Sequence, residues 1–169
     1  DILYYGALRL NEILSVKINS FEWHTYFKDP TKHCKLIVLG KGKKHRPVLI
    51  PPETINKLLD HYFKTKVINS NMKIDFISDK LMSMQNLLFH KLYSKRVWIN
   101  LKRNSERSIG IAIRPHELRH TRATELEKAG ASIRSIQIYL GHSNPQTTEI
   151  YLHTTQQASL DNIQKIVGQ

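Results

Sequence analysis

Residues 116–155 read HELRHTRATELEKAGASIRSIQIYLGHSNPQTTEIYLHTT. Punctuation divides this stretch into short helices. Pro115 suits the first turn of one helix and Gly130 its end, with Leu118, Leu126 and Ala129 predicted to face inward. Ile133, Ile136 and Leu140 mark a second helix that Gly141 stops. Asn144-Pro145 is a cap followed by a first-turn proline, and it opens a third helix carrying Tyr151. Beyond Thr154-Thr155, the apolar spacing of Leu160, Ile163 and Val167 predicts a final amphipathic helix.

The same stretch gathers reactive side chains. Tyr151 follows His142 by nine residues, and His142 follows Arg119 by twenty-three. His116 and Arg119 lie three apart, so they share a helix face near a first turn, where free N–H groups favour an anion. An arginine there can donate two bonds to one phosphate. Each residue also has a plain reading. A His and an Arg near a helix start are often surface residues, and a lone helical tyrosine is more often packing than nucleophile. A phenol of pKa ~10 needs a nearby base or cation before it attacks anything. Their supply within one short stretch favours chemistry. His153 is a further ring, but nothing marks it.

His116-Glu117-Leu118-Arg119-His120 also spells H-E-x-x-H, a zinc-site pattern. The usual downstream ligand is missing between Thr121 and Lys128, and a distant residue such as Glu149 would have to supply it. A helix start at Pro115 further puts His116 in a first turn rather than mid-helix. The metal reading is therefore the minor one.

Working outward, residues 2–16 read as one helix, with Leu3, Ala7, Leu10 and Leu14 on a stripe and Arg9 and Glu12 off it. Residues 17–34 read as irregular, with a short strand possible at Phe21–Trp23. Lys35–Leu39 and Arg46–Ile50 flank Gly40-Lys41-Gly42-Lys43-Lys44-His45, which predicts a hairpin with a Gly-rich turn. Lys41 at that tip can reach a nucleic-acid backbone, with Lys43 and Lys44 as competitors. The turn is not a phosphate-cradling P-loop, because the Gly-x4-Gly-Lys-Ser/Thr spacing is absent. Pro51-Pro52 ends the hairpin, and a helix runs to about Phe63. Residues 64–77 read as loop, then 79–93 and 96–108 as two helices. The expected fold is mostly α with a small antiparallel β-sheet.

At 169 residues the chain suits one compact domain with a tail. It carries 26 Lys and Arg against 14 Asp and Glu, a formal charge of +12, which suits a polyanion partner, although a solvated basic surface would give the same count. One cysteine, Cys34, excludes an internal disulfide and points to a reducing, cytoplasmic setting. No apolar run approaches the ~18 residues of a membrane span, so no membrane partner is expected. The chain opens inside an apolar-periodic segment without a helix start signal, which reads as a fragment of a longer protein.

Three motifs in order, Gly6-Ala7-Leu8-Arg9-Leu10-Asn11-Glu12, Gly40-Lys41-Gly42-Lys43 and His116-x-x-Arg119…Leu140-Gly141-His142…Thr147-Thr148-x-x-Tyr151, resemble the signature of the tyrosine recombinases, the family of phage integrases and Xer-type resolvases. The likeness is specific over residues 4–16, 38–50 and 111–155 and general over 55–105. It implies a catalytic domain at 1–155 and a C-terminal tail at 156–169. It also implies double-stranded DNA as substrate, cut and rejoined through a 3′-phosphotyrosyl link on Tyr151. Arg9, Arg119 and His142 would then bind the non-bridging oxygens, with Glu12 orienting Arg9. Lys41 would protonate the leaving oxygen, and His116 would serve the tyrosine as acid/base. The link conserves bond energy, so neither cofactor nor metal is implied. Assembly as a homo-oligomer on DNA, a tetrameric synapse exchanging C-terminal helices, is implied too. The family's N-terminal DNA-clamping domain has no counterpart in this sequence. A type IB topoisomerase uses a similar constellation, although a lysine typically stands there at the position of His116. A non-enzymatic helix-turn-helix reading of 115–140 stays open beside both.

Overall fold

The computed structural model describes residues 1–69, 71–89, 93–141 and 160–166, with Lys41 described by its backbone. The predicted helix over 2–16 is two helices, α1 (Ile2–Tyr5) and α2 (Leu10–Ser15). The break falls at Ala7, which takes a positive φ of 45° while fully buried. A β-carbon disfavours that conformation, so surrounding contacts must hold it. The break makes Arg9 the extended N-cap of α2 and turns the Ala7 carbonyl towards Arg119.

The segment expected to be irregular holds α3 (Trp23–Lys28), and Phe21 makes only a single bridge, to Leu36. Burial overrode local pattern there: Phe21 and Trp23 are core residues, and the Trp23 indole donates to the Ile18 carbonyl at 2.8 Å. The hairpin is as expected. Strands β1 (Cys34–Leu39) and β2 (His45–Ile50) pair antiparallel, with Cys34 opposite Ile50 and Leu39 opposite His45. At its tip Gly42 sits at φ 75°, a value that suits a residue without a β-carbon. Helix α4 (Pro52–Lys64) follows the two prolines.

Helix α5 spans Ile74–Ser83, starting inside the expected loop and ending ten residues short of the expected helix. Ile77 and Leu81 face the core from it. Helix α6 (Ser94–Ile109) stops at Gly110 in the left-handed conformation. Helices α7 (Pro115–Lys128) and α8 (Ile133–Leu140) match their punctuation. Their inward faces differ in part: Leu126, Ile136 and Leu140 are buried, whereas Ala129 is exposed and Ile133 is 66% exposed at the first position of α8. The predicted helix opening at Asn144-Pro145 lies outside the described residues. Residues 160–166 are helical, and Leu160 and Ile163 join the core cluster; Val167 lies outside the described residues.

One core joins these elements. Leu36, Val38, Val48 and Ile50 of the sheet pack with Trp23, Ile55, Leu81, Leu126 and Ile163. Tyr139 ties three elements. Its buried hydroxyl donates to the Tyr5 carbonyl at 2.9 Å and accepts from the Leu49 N–H at 3.1 Å, with the Leu49 carbonyl 3.3 Å away. Burial raises the pKa of this phenol. It is therefore a strut between α1, β2 and α8. Tyr139→Phe should lower unfolding free energy by about 1–3 kcal/mol, the cost of leaving buried polar groups unmatched. A urea midpoint that falls at constant slope would agree. An unchanged midpoint would mean that the hydroxyl has no structural role.

Candidate active site

The site is built around one carboxylate. Glu12 stands at the third position of α2, so its side chain reaches back over the helix start and accepts from the Arg9 N–H at 2.7 Å. Its oxygens also accept from Arg9 Nη1 at 2.8 Å, Arg46 Nη1 at 2.7 Å and Arg46 Nη2 at 2.8 Å. Arg119 Nη1 lies 4.0 Å from the same carboxylate, within ion-pair range but beyond a hydrogen bond. Burial alone would raise the pKa of Glu12. The hydrogen bonds of Arg46, with those of Arg9, outweigh it and hold the value down to about 2.

Arg119 leaves the fifth position of α7 and is buried. Its Nη1 donates to the Ala7 carbonyl and its Nη2 to the Leu140 carbonyl. Burial foremost, then the charges of Arg9 and Arg46, lower its pKa to about 10 against the opposing pull of Glu12, so it stays protonated at neutral pH. Arg9 Nη2 lies 3.5 Å from the Gly141 carbonyl. Arg9 and Arg119 thus meet consecutive carbonyls at the C-terminal end of α8, where partial negative charge favours cations. His142 is the next residue along the chain.

The predicted residues therefore fall into four groups. Arg9 and Arg119 are brought together by Glu12 and the end of α8. His116 is exposed at the second position of α7, one turn before Arg119. Lys41 lies in the β1–β2 turn, after Gly40, whose N–H donates to the Lys44 carbonyl at 2.8 Å. His142 and Tyr151 lie outside the described residues. In the H-E-x-x-H stretch, Glu117 accepts from the Arg114 N–H at 2.6 Å and so caps α7. Among the described residues no group of three His, Cys, Asp or Glu side chains is arranged to hold a metal.

Arg46 is the residue that sequence reading missed. Its side chain is 5% exposed, and Nε donates to the Tyr139 carbonyl at 2.9 Å. A signal was present. Arg46 shares its strand face with Val48 and Ile50, both fully buried, and a cation in that phase needs a buried partner.

The phage integrase family model matches residues 1–158. This chain belongs to the phage integrase family. Among its relatives, the tyrosine recombinase XerA of Pyrococcus horikoshii is 34% identical over 166 residues, which cover 97% of this chain and 52% of that protein. A tyrosine recombinase of Thermosipho africanus is 31% identical over 167 residues, covering 98% and 52%. The chain thus spans about half the length of the curated relatives it matches. Among solved structures, the crystal structure of XerA recombinase shares the fold, with a TM-score of 0.62 at 23% identity over 93% of this chain and 53% of that one. The XerH site-specific recombinase bound to palindromic difH substrate, a post-cleavage complex, aligns with a TM-score of 0.59 at 26% identity, over 93% of this chain and 41% of that one. Among the described residues no helix is long and apolar enough to cross a membrane.

The pKa of Glu12 has a consequence for this family member's stability. A carboxylate at about 2 when folded and near 4.5 when unfolded stabilises the fold above pH 4.5, and that contribution fades as pH falls towards 2. It amounts to roughly 3 kcal/mol. Glu12→Gln should therefore be less stable than wild type at neutral pH, with a gap that narrows through this window in urea titrations. A gap that stays constant with pH would contradict the assignment.

Proposed function

We propose that this chain is the catalytic domain, residues 1–155 with a tail at 156–169, of a site-specific DNA recombinase. The observation that carries this reading is the convergence of Arg9 and Arg119 on the Leu140 and Gly141 carbonyls, directly before His142. Three guanidinium groups surround one carboxylate there, leaving an excess of positive charge. A phosphodiester anion complements that excess, and bidentate donation suits its paired oxygens. Membership of the phage integrase family and the net charge of +12 point the same way.

In the proposed reaction the Tyr151 oxygen attacks the scissile phosphorus while His116 takes the phenolic proton. The bond from phosphorus to the 5′ oxygen breaks, and Lys41 supplies the proton that makes the 5′-hydroxyl. Arg9, Arg119 and His142 stabilise the charge that grows on the non-bridging oxygens. Attack of a 5′-hydroxyl on the phosphotyrosine reverses the step. Since the covalent link keeps the bond energy, the chemistry requires no nucleotide. Rejoining to a partner strand gives recombination. We further assign the tail to assembly: a homo-oligomer on double-stranded DNA in which the 160–166 helix, folded on its own core here, passes to a neighbour.

Tyr151→Phe should bind DNA like wild type yet form no covalent adduct on a nicked suicide duplex. Arg9→Ala or Arg119→Ala should slow cleavage by roughly 10²–10³, the scale of one lost transition-state donor. Lys41→Ala should lose a similar factor and regain it on a substrate with a 5′-thiol leaving group, which needs little protonation. An adduct from the Phe variant would overturn the nucleophile. Absence of sulfur rescue would move the acid role to another lysine.

A further inference from the structure

We propose that Arg46 is a positioning residue of the transesterification, setting the places from which four of the site residues act. This inference rests on the functional reading above. Arg46 touches no substrate in this account. Its guanidinium is enclosed, donating to both oxygens of the Glu12 carboxylate and to the Tyr139 carbonyl. Those partners matter because of what they carry. Glu12 holds Arg9 by two further bonds and stands beside Arg119. Tyr139 is the residue before Leu140 and Gly141, on whose carbonyls Arg119 and Arg9 converge.

Two glycines extend the reach. A β-carbon at Gly141 would stand 2.9 Å from Arg46 Cδ and 3.1 Å from Nη1. A β-carbon at Gly40 would stand 3.4 Å from Arg46 Nη1 and 3.8 Å from Glu12 Oε1. The arginine therefore lies against the backbone immediately before His142 and immediately before Lys41. One buried side chain thus joins α2, the hairpin and the end of α8, the three places that carry Arg9, Lys41 and His142. Arg119, from α7, docks on the same assembly. Such contacts explain why a rigid planar fork stands there. A lysine offers the same charge but cannot grip both carboxylate oxygens and the Tyr139 carbonyl together.

The test compares Arg46→Lys with wild type in the full-length protein, on a nicked duplex carrying the site that wild type cleaves. DNA affinity should stay within about twofold, while single-turnover cleavage falls by about 10², the effect of displacing reacting groups by ~1 Å. The second substrate carries a methylphosphonate at the scissile position. It has one charged non-bridging oxygen fewer and depends less on aimed cations. There the deficit of Arg46→Lys should shrink to under about tenfold, in parallel with that of Arg9→Ala. A loss of folded protein would lower cleavage of both substrates equally, and that result overturns the positioning role. So does cleavage by Arg46→Lys at the wild-type rate. If Arg46→Lys does not fold, Gly40→Ala takes its place, because it keeps the buried ion pair, stands at an ordinary φ of −92° and presses on Arg46 from the hairpin side. It should show the same fall and the same relief, and equal deficits on both substrates refute the proposal. A wild type that forms no adduct overturns the functional reading itself and this inference with it, whereas a wild-type adduct with an unimpaired variant overturns only the inference.

Discussion

A buried carboxylate with four hydrogen bonds fixes the geometry of this domain. Glu12 receives the Arg9 backbone, the Arg9 side chain and both arms of Arg46. Taking those charges out of water costs several kcal/mol per ion, and only near-complete hydrogen bonding offsets that. The arrangement is therefore intolerant of displacement. It also leaves more positive than negative charge. A cluster designed only for stability would be neutral, or would be replaced by apolar packing. That excess fits the phosphodiester anion of the proposed function.

The surrounding fold reads as support for that cluster. The kink at Ala7 converts a predicted single helix into two, and in doing so supplies both the N-cap position of Arg9 and a carbonyl for Arg119. The Tyr139 hydroxyl pins α8 to β2 and α1, so that the α8 end meets the arginines in register. The helix at 160–166 is tied to the same core through Leu160 and Ile163. Burial of this helix and placement of the cluster therefore draw on one shared core.

Much of this was legible in the sequence. The hairpin, α4, α7 and α8 follow from proline, glycine and apolar spacing, because those are local effects of backbone geometry. The pairing of Arg9 with Glu12 came from the family resemblance, not from local pattern, and the bond between them bears it out. What escaped was set by distant contacts. Helix α3 forms around Trp23 because its indole and ring find a buried place, which local pattern does not encode. The break at Ala7 offers its carbonyl to Arg119, 112 positions away, a contact no local pattern encodes. Arg46 looks like an ordinary strand residue by local pattern, although its phase with Val48 and Ile50 puts a cation on the apolar face.

Under the proposed function these cations aim a DNA phosphate at Tyr151. Peptide mapping by mass spectrometry of the adduct trapped on nicked DNA tests it most directly. The expected peptide carries a nucleotide remnant joined through its 3′-phosphate to the phenolic oxygen of Tyr151. A remnant on any other residue, or on the 5′ side of the break, would contradict it.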